Sequence, residues 1–258
     1  MENSVGTWAL RLYAGLIALL LIFPLAVVVV VSVDSAQYIQ FPPEGFTLRW
    51  YQALAGNENF MLSLKNSLIV GISSTAIALL VAIPAALVLS RRRFPFRDAI
   101  YAVLLSSLTI PWIVYGLALL VFWGFLSLRL SLWTLIVGHT VIAVPYVLRT
   151  VMAVLLGLSP AYEQAARNLG AGPLQAFFLV TLPMIRGGVL SGASFALIVS
   201  LINIPVSLFV TTADNLTMPV AIFSYMMNNF DPGVAAFAVV QMVIVGLALG
   251  MAGRAARG

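Results

Sequence analysis

Six long stretches of this sequence contain no charged side chain, and they constrain the fold more than any other feature. They run for 19 to 30 residues and cover 12–33, 66–90, 99–128, 130–148, 187–213 and 232–253. About 20 apolar residues in an α-helix span the hydrocarbon core of a bilayer, because each residue adds about 1.5 Å. We therefore predict an all-α membrane protein with six transmembrane helices, over about 10–33, 66–90, 99–125, 130–150, 187–211 and 233–253.

The 30-residue third stretch is too short for two membrane helices, so we expect one tilted or interrupted helix there. Charged residues make up only 8% of the chain, whereas about one quarter is usual in soluble domains. We predict a single membrane domain over 1–258, with its longest outer connection at 34–65 and a polar inner loop at 158–183.

The positions of the basic residues predict the orientation. With the N-terminus inside the cell, ten basic residues lie on the inner side and three on the outer side, which satisfies the positive-inside rule. The inner residues are Arg11, Arg91, Arg92, Arg93, Arg97, Arg149, Arg167, Arg186, Arg254 and Arg257, and the outer ones are Arg49, Lys65 and Arg129. Both termini are therefore expected to be cytoplasmic, and the basic charge needs no nucleic-acid partner to explain it.

Several kinds of chemistry are excluded by residues that the chain lacks. Its single lysine, Lys65, follows Leu64, so no G-x-x-x-x-G-K-[ST] phosphate loop is possible. Its single histidine, His139, excludes a two-histidine metal site, and the charge-free stretches offer no carboxylate for a proton relay. We expect neither an enzyme nor a protein with a cofactor or metal of its own.

The polar loop at 158–183 has the signals of a short helix followed by a bend. Ser159 and Pro160 suit a helix start, and Glu163 lies in the first turn, where the helix dipole favours a negative charge. Gly170 suits the left-handed position just past the helix end. The helix exposes small alanines beside charged residues, which favours a partner that approaches its backbone closely.

Two pairs of glycines have the small-xxx-small spacing that lets membrane helices pack closely. They are Gly188 with Gly192 and Gly246 with Gly250. We expect both pairs to pack within the chain. The arginine-rich loop 91–98 is expected to anchor the topology at the lipid headgroups, with binding of anionic lipid as the alternative.

The loop resembles the EAA loop of ABC-importer permeases, E-A-A-x-x-x-G-x₉-I-x-L-P. The motif positions that agree with this pattern are Ala165, Ala166, Gly170, Leu182 and Pro183. Gln164 replaces the glutamate, with Glu163 just before it, and Val180 replaces the isoleucine. Other segments, including "GFTLRWYQAL" and "FDPGVAA", are similar to the second permease of spermidine/putrescine-type importers.

This resemblance implies a type I importer permease in the bacterial cytoplasmic (inner) membrane. The implied partners are a second homologous permease, two ATP-binding subunits that bind ATP and magnesium, a periplasmic solute-binding protein and membrane lipids. The residues implied to contact the ATPases are Glu163, Gln164, Ala165, Ala166, Arg167, Gly170, Leu182 and Pro183. The alternative is a six-helix secondary transporter or channel that no ATPase drives.

Polar residues in the third, fourth and fifth stretches are candidates for the substrate pathway, because a polar group in a membrane must face a cavity or a partner. Ser200, Asn203 and Ser207 share a helical face beside Pro205, and Thr109, Trp112 and Gly116 share a similar face beside Pro111. The candidates are Thr109, Trp112, Tyr115, His139, Ser200, Asn203 and Ser207. Hydrogen bonding between packed helices is the alternative role for this set.

The pathway candidates include no acid. Polyamine permeases of the resembled kind carry carboxylates near the places where this chain has Trp112 and Asn203. We therefore expect a solute that is less cationic than spermidine, such as a monoamine, an amino-acid-like zwitterion or another small organic ion.

Overall fold

Long apolar helices dominate the computed structural model, which describes residues 4–257. In chain order the α-helices are α1 (Ser4–Val31), α2 (Arg49–Ala55), α3 (Glu58–Arg91), α4 (Arg97–Leu105), α5 (Trp112–Phe125), α6 (Leu132–Gly157), α7 (Ala161–Asn168), α8 (Pro173–Ala176), α9 (Leu182–Leu201), α10 (Ile204–Val210), α11 (Met218–Asn228) and α12 (Gly233–Arg257). A 3₁₀ turn covers Ser106–Leu108, and a π-helical stretch, Phe177–Thr181, joins α8 to α9.

Five helices in this part of the chain are long and apolar enough to cross a membrane, and the bent pair Arg97–Leu108 and Trp112–Phe125 makes a sixth if it counts as one span. The pair bends by 101°. The bend lies at Pro111, because proline has no N–H to donate and disfavours helical backbone at the residue before it. Counted as one span, the pair matches the interrupted form of the tilted or interrupted helix that the sequence predicts.

The fifth long helix differs from its predicted bounds of 187–211. It runs from Pro173 to Leu201 and therefore includes Arg186, which is exposed on the helix surface. A charge-free stretch underestimates the length of a helix when a long arginine side chain can reach water from the helix surface. The helix ends before Pro205, and α10 begins after a break at Ile202 and Asn203.

The helices form two compact units, residues 4–61 with Ile222–Val243 and residues 62–221 with 244–257. The prediction of one domain over 1–258 stays a prediction. The first unit contains α1, α2 and the polar segment between them. There the buried Asp34 accepts hydrogen bonds from the backbone N–H groups of Ala36 and Glu44, at 3.0 and 3.1 Å. Trp50 donates from its indole nitrogen to the Asp34 carbonyl at 2.8 Å.

Tyr225 and Asp231 form a second polar contact within the first unit. The Tyr225 hydroxyl donates to both carboxylate oxygens of Asp231, at 3.0 and 3.1 Å. Burial of the phenol, followed by its hydrogen bond to Asp231 and the charge of that carboxylate, raises the pKa of Tyr225 to about 12. The phenol of Tyr225 therefore stays neutral throughout the physiological pH range.

In the second unit α6 packs with both α3 and α9 in one hydrophobic cluster. Small residues of α3, namely Ala78, Ala82 and Ala86, are fully buried in the cluster that α6 fills with Val147 and Val151. Gly188 and Gly192 let α9 approach α6, because a Cβ on Gly188 would lie 2.9 Å from the Thr150 carbonyl oxygen. Their predicted packing within the chain is confirmed.

The second glycine pair behaves differently. A Cβ added at Gly246 or Gly250 would meet no atom within 4 Å among the described residues. Among the described residues, the expectation that this pair packs within the chain is therefore wrong, because none of their atoms would contact a Cβ added at either glycine.

Candidate functional site

The loop between α6 and α8 folds as the sequence predicts. The Ser159 hydroxyl accepts from the Ala161 N–H at 3.3 Å where α7 begins. At the other end Gly170 has φ +94°, a left-handed conformation that a side chain makes costly. The N–H groups of Gly170 and Ala171 donate to the carbonyls of Arg167 and Ala166, which is the hydrogen-bond pattern of a Schellman motif. The predicted short helix, closed by glycine, is confirmed.

This loop presents an exposed surface to which we give the name coupling surface, defined as Gln164, Ala165, Arg167 and Leu169. All four residues are exposed, and Leu169 is 90% exposed although it is apolar. Ala166 is half-buried behind them. Leu169 therefore gives this surface one apolar side chain that a partner can bury.

Glu163 does not belong to the coupling surface. Its carboxylate lies 3.3 Å from the guanidinium of Arg91, the last residue of α3, and both side chains are largely shielded from water, at 29% and 17% exposure. Arg91 also donates to the Leu158 carbonyl at 2.7 Å. This pair was not predicted from the sequence; the available signal was a carboxylate and an arginine at the ends of two predicted spans on one side of the membrane.

Beside the ion pair, α3, α7 and α8 enclose an open cleft of about 250 Å³. Arg92 and Arg167 line it together with apolar residues such as Leu87 and Phe177.

The end of the motif lies within the long helix that follows. Leu182 is half-buried against the core of the second unit, and Pro183 is exposed at the start of α9. Proline cannot donate to the carbonyl one turn earlier and clashes with it in an α-helix. The wider π-helical stretch Phe177–Thr181 lies in that turn and accommodates the proline ring. Val180 belongs to this stretch and is half-buried.

A buried polar cluster joins four helices of the second unit. His139 of α6 bonds through Nδ1 to the Ser200 hydroxyl of α9 at 2.7 Å and through Nε2 to the Ser207 hydroxyl of α10 at 3.0 Å. Ser74 of α3 donates to Ser200 at 3.3 Å. His139, Ser200 and Ser207 are at most 4% exposed. Their contacts match the interhelical alternative, and a role in the substrate pathway stays a prediction.

Asn203 lies in the break between α9 and α10 and is fully buried. Its side-chain oxygen accepts from the Val206 N–H at 2.9 Å and so caps α10. A Cβ on Gly116 of α5 would lie 2.6 Å from the Pro205 carbonyl oxygen. Gly116 therefore lets α5 pack directly against the start of α10, the helix that Asn203 caps.

The third-span candidates do not share one helical face as predicted. Thr109 lies before the bend at Pro111, outside α5, and is exposed. Trp112 is half-buried at the first turn of α5, and the Tyr115 hydroxyl donates to the Gly138 carbonyl of α6 at 3.0 Å. The expectation was wrong for Thr109 because it assumed a continuous helix through Pro111.

An open cleft of about 980 Å³ lies where α6 begins and just after α10 ends. It is lined by Arg129, Trp133, Thr212, Asp214 and Asn215, together with the backbone turn into α6. The loop that carries Asp214 is held to α3 by Asn66, which donates to the Leu216 carbonyl at 3.0 Å. The cleft therefore offers one positive and one negative side chain.

We expect His139→Ala to lower the stability of the chain by about 2–4 kcal/mol, because it removes two hydrogen bonds and leaves a cavity among four helices. His139→Gln keeps a polar group of similar reach and should lower the stability less than His139→Ala does. The thermal unfolding midpoint in detergent checks both variants. An unchanged midpoint for His139→Ala would contradict a structural role and favour the substrate pathway.

Comparisons with known proteins agree with this fold. The family described as "Binding-protein-dependent transport system inner membrane component" matches residues 77–256. The spermidine/putrescine transport system permease protein PotC of Escherichia coli (strain K12) is 28% identical, over 87% of this chain and 84% of its own length. A probable molybdenum ABC transporter permease protein of Haloferax volcanii is 30% identical, over 75% of this chain and 74% of its own.

Among solved structures, a chain of a bacterial ABC transporter involved in the import of the acidic polysaccharide alginate has a similar fold. The TM-score is 0.77 at 15% identity, and the match covers 98% of each chain. At that identity the likeness concerns the fold alone.

Proposed function

The chain belongs to the family of binding-protein-dependent transport system inner membrane components, and from this membership we propose that it forms one half of the pore of an ATP-driven importer for a small organic solute. A second homologous permease supplies the other half, and a periplasmic binding protein delivers the solute. Two separate ATPase subunits bind ATP and magnesium. Neither the family nor the fold favours a secondary transporter or a channel.

The observation that carries the ATPase partnership is the coupling surface. It combines the exposed, apolar Leu169 with the small Ala165, the neutral Gln164 and the basic Arg167 on a well-capped helix. Such a surface transmits force well, because the Schellman motif at Gly170 fixes the helix end and small residues allow a partner backbone to approach closely. ATP-driven closure of the ATPase pair then moves α7 and, with it, the membrane helices.

The orientation follows from the basic residues. With both termini cytoplasmic, α7 and Arg91 face the cytoplasm, where the ATPases lie. The cleft lined by Arg129 and Asp214 then faces the periplasm, where solute arrives. Arg254 and Arg257 add to the cytoplasmic charge, and the chain is a multi-pass protein of the bacterial inner membrane.

The solute is proposed to be less cationic than spermidine. The buried candidates His139, Asn203 and Ser207 carry no carboxylate, and the outer cleft is lined by both Arg129 and Asp214. A polycation gains little from a site with balanced charge, whereas a zwitterion or a monoamine meets both signs. Overall similarity does not decide the question, because relatives named for polyamines and for molybdenum are about equally identical to this chain.

Copurification tests the assembly. An affinity-tagged chain, expressed with the genes that flank its own and extracted in mild detergent, is expected to retain an ATP-binding subunit and a second permease. Leu169→Asp replaces the exposed apolar side chain with a charge and should lose the ATPase while it keeps the second permease. A wild-type chain that retains no ATPase but still supports solute uptake would overturn the proposal.

Ligand binding to the cognate binding protein tests the solute class. Thermal shifts with spermidine, putrescine, primary monoamines and amino acids should favour the last two groups. A binding protein that holds spermidine far more tightly than these solutes would refute the substrate proposal and leave the assembly proposal intact.

A further inference from the structure

Arg91 connects two separate parts of the loop that leads to α7. Its Nη1 donates to the Leu158 carbonyl, just after α6 ends, and its Nη2 binds the Glu163 carboxylate in the first turn of α7. Because Arg91 ends α3, one guanidinium ties three helices together. The Arg91 side chain is only 17% exposed, so these bonds are shielded from water. Charge-assisted hydrogen bonds are stronger in such a shielded place than in water.

Neighbouring arginines do not duplicate this contact. Arg92 and Arg93 are exposed, and neither forms an ion pair within 4 Å in the part of the chain that the structure describes. Arg97 pairs with the adjacent Asp98, which lies on its own helix. Of the four arginines in this loop, Arg91 is therefore the one placed to hold α7.

The position of the carboxylate determines the direction in which it points. Successive residues of an α-helix are about 100° apart around the axis, because a turn takes about 3.6 residues. Glu163 faces α3, whereas Gln164 is exposed on the coupling surface. With its acid at 163, the chain directs this charge towards its own α3 and presents a neutral amide to a partner.

We propose that Arg91 is a positioning residue for coupling: through Glu163 and the Leu158 carbonyl it locks α7 to the end of α3, so that displacement of α7 is transmitted to α3. The role of Arg91 in coupling rests on the proposed function, whereas the contact of Arg91 with α7 is a property of the single chain. Loss of a shielded, charge-assisted bond raises the population of unlocked α7 about tenfold or more.

The lock can be measured in the purified chain. The sequence contains no cysteine, so Leu80→Cys on α3 and Ala165→Cys on α7 accept spin labels without further changes. Both sites are exposed. Double electron–electron resonance in lipid nanodiscs should give one narrow distance distribution, which Arg91→Gln and Glu163→Gln broaden. Arg93→Gln is the matched control, and it should leave the distribution narrow.

Charge reversal separates a specific ion pair from general damage. Arg91→Glu alone and Glu163→Arg alone should broaden the distribution, whereas the two together should narrow it again. An unchanged distribution in Arg91→Gln, or equal broadening in Arg93→Gln, would overturn the proposal. A double reversal that remains as broad as the single variants would overturn it as well.

The assembled transporter gives the functional readout. In proteoliposomes that hold the complete complex, Arg91→Gln should lower the solute transported per ATP hydrolysed about tenfold, and the double reversal should restore most of it. An unchanged ratio in Arg91→Gln, despite a broadened distance distribution, would overturn the role in coupling. If no ATPase copurifies, the proposed function fails, and the spin-label distances still decide whether the lock exists.

Discussion

Gly170→Val is expected to lower solute transport about tenfold or more in the assembled transporter, while the chain still inserts and folds. Gly170 has φ +94°, which costs a residue with a side chain about 1–2 kcal/mol and a β-branched residue more. Its N–H and that of Ala171 close the end of α7. Valine therefore displaces Leu169 and the rest of the coupling surface, although a Cβ at this position meets no other atom within 4 Å.

Two variants show whether backbone conformation is the cause. Gly170→Asn should keep most of the transport, because asparagine tolerates the left-handed region far better than valine does. Gly187→Ala changes a glycine of α9 without a positive φ or a nearby atom, and it should behave as the wild type. Solute uptake and ATP hydrolysis are measured together. Normal uptake by Gly170→Val would remove the coupling role of this loop.

The membrane helices were the most predictable part of the fold. In lipid, every backbone N–H and C=O group must be hydrogen-bonded within the protein, so a long charge-free stretch permits few structures other than a helix. The 30-residue length of the third stretch allowed a tilted or an interrupted helix, and the bend lies at Pro111, because proline removes a donor and constrains the residue before it. The capping of α7 was predictable for a similar reason, since Ser159 and Gly170 act on the backbone within a few residues.

Helix bounds were less predictable where a charge lies inside a helix. Arg186 marked the start of the predicted fifth span, yet α9 begins before it and the helical run starts at Pro173. A side chain that reaches water from a membrane helix does not end the helix. A charge-free stretch therefore predicts the existence of a helix more reliably than the residue at which the helix begins.

The contacts of the candidate site needed the tertiary structure. His139 and Ser200 are 61 residues apart, and Arg91 and Glu163 are 72 apart. No local pattern in one sequence specifies which of several buried hydroxyls receives a histidine, or which of four nearby arginines pairs with a carboxylate. The sequence named His139, Ser200 and Glu163 as candidates, but their partners depend on how α3, α6 and α9 pack.

Packing of α9 against α6 gives the largest expected effect on stability. A Cβ at Gly192 would lie 3.0 Å from the Val147 Cα and would overlap the Thr150 hydroxyl. That hydroxyl cannot easily move away, because it donates to the Tyr146 and Val147 carbonyls at 3.0 Å. Gly192→Leu should therefore destabilise the chain by about 3 kcal/mol or more, since neither backbone can yield without separating the helices.

The other glycine pair provides the matched control. Gly246→Leu adds the same side chain to the other small-xxx-small pair, on α12, where a Cβ meets nothing within 4 Å. It should therefore change the unfolding midpoint of the isolated chain little. We expect Gly192→Leu to lower that midpoint by at least about 6 °C, or to prevent recovery of a monodisperse protein in detergent. Equal midpoints for the two variants would contradict the close approach of α6 and α9.

A second substitution, at Thr150, identifies the atom that a side chain at Gly192 overlaps. Thr150→Ala removes the hydroxyl that a Cβ at Gly192 overlaps, so it should partly rescue Gly192→Ala. It should not rescue Gly188→Ala, because the Cβ there lies 2.9 Å from the Thr150 backbone carbonyl, which the substitution leaves in place. The midpoints of the two double variants, each compared with its single variant, distinguish side-chain from backbone contact. Equal rescue at both positions would mean that the helices separate as a whole instead of meeting at these atoms.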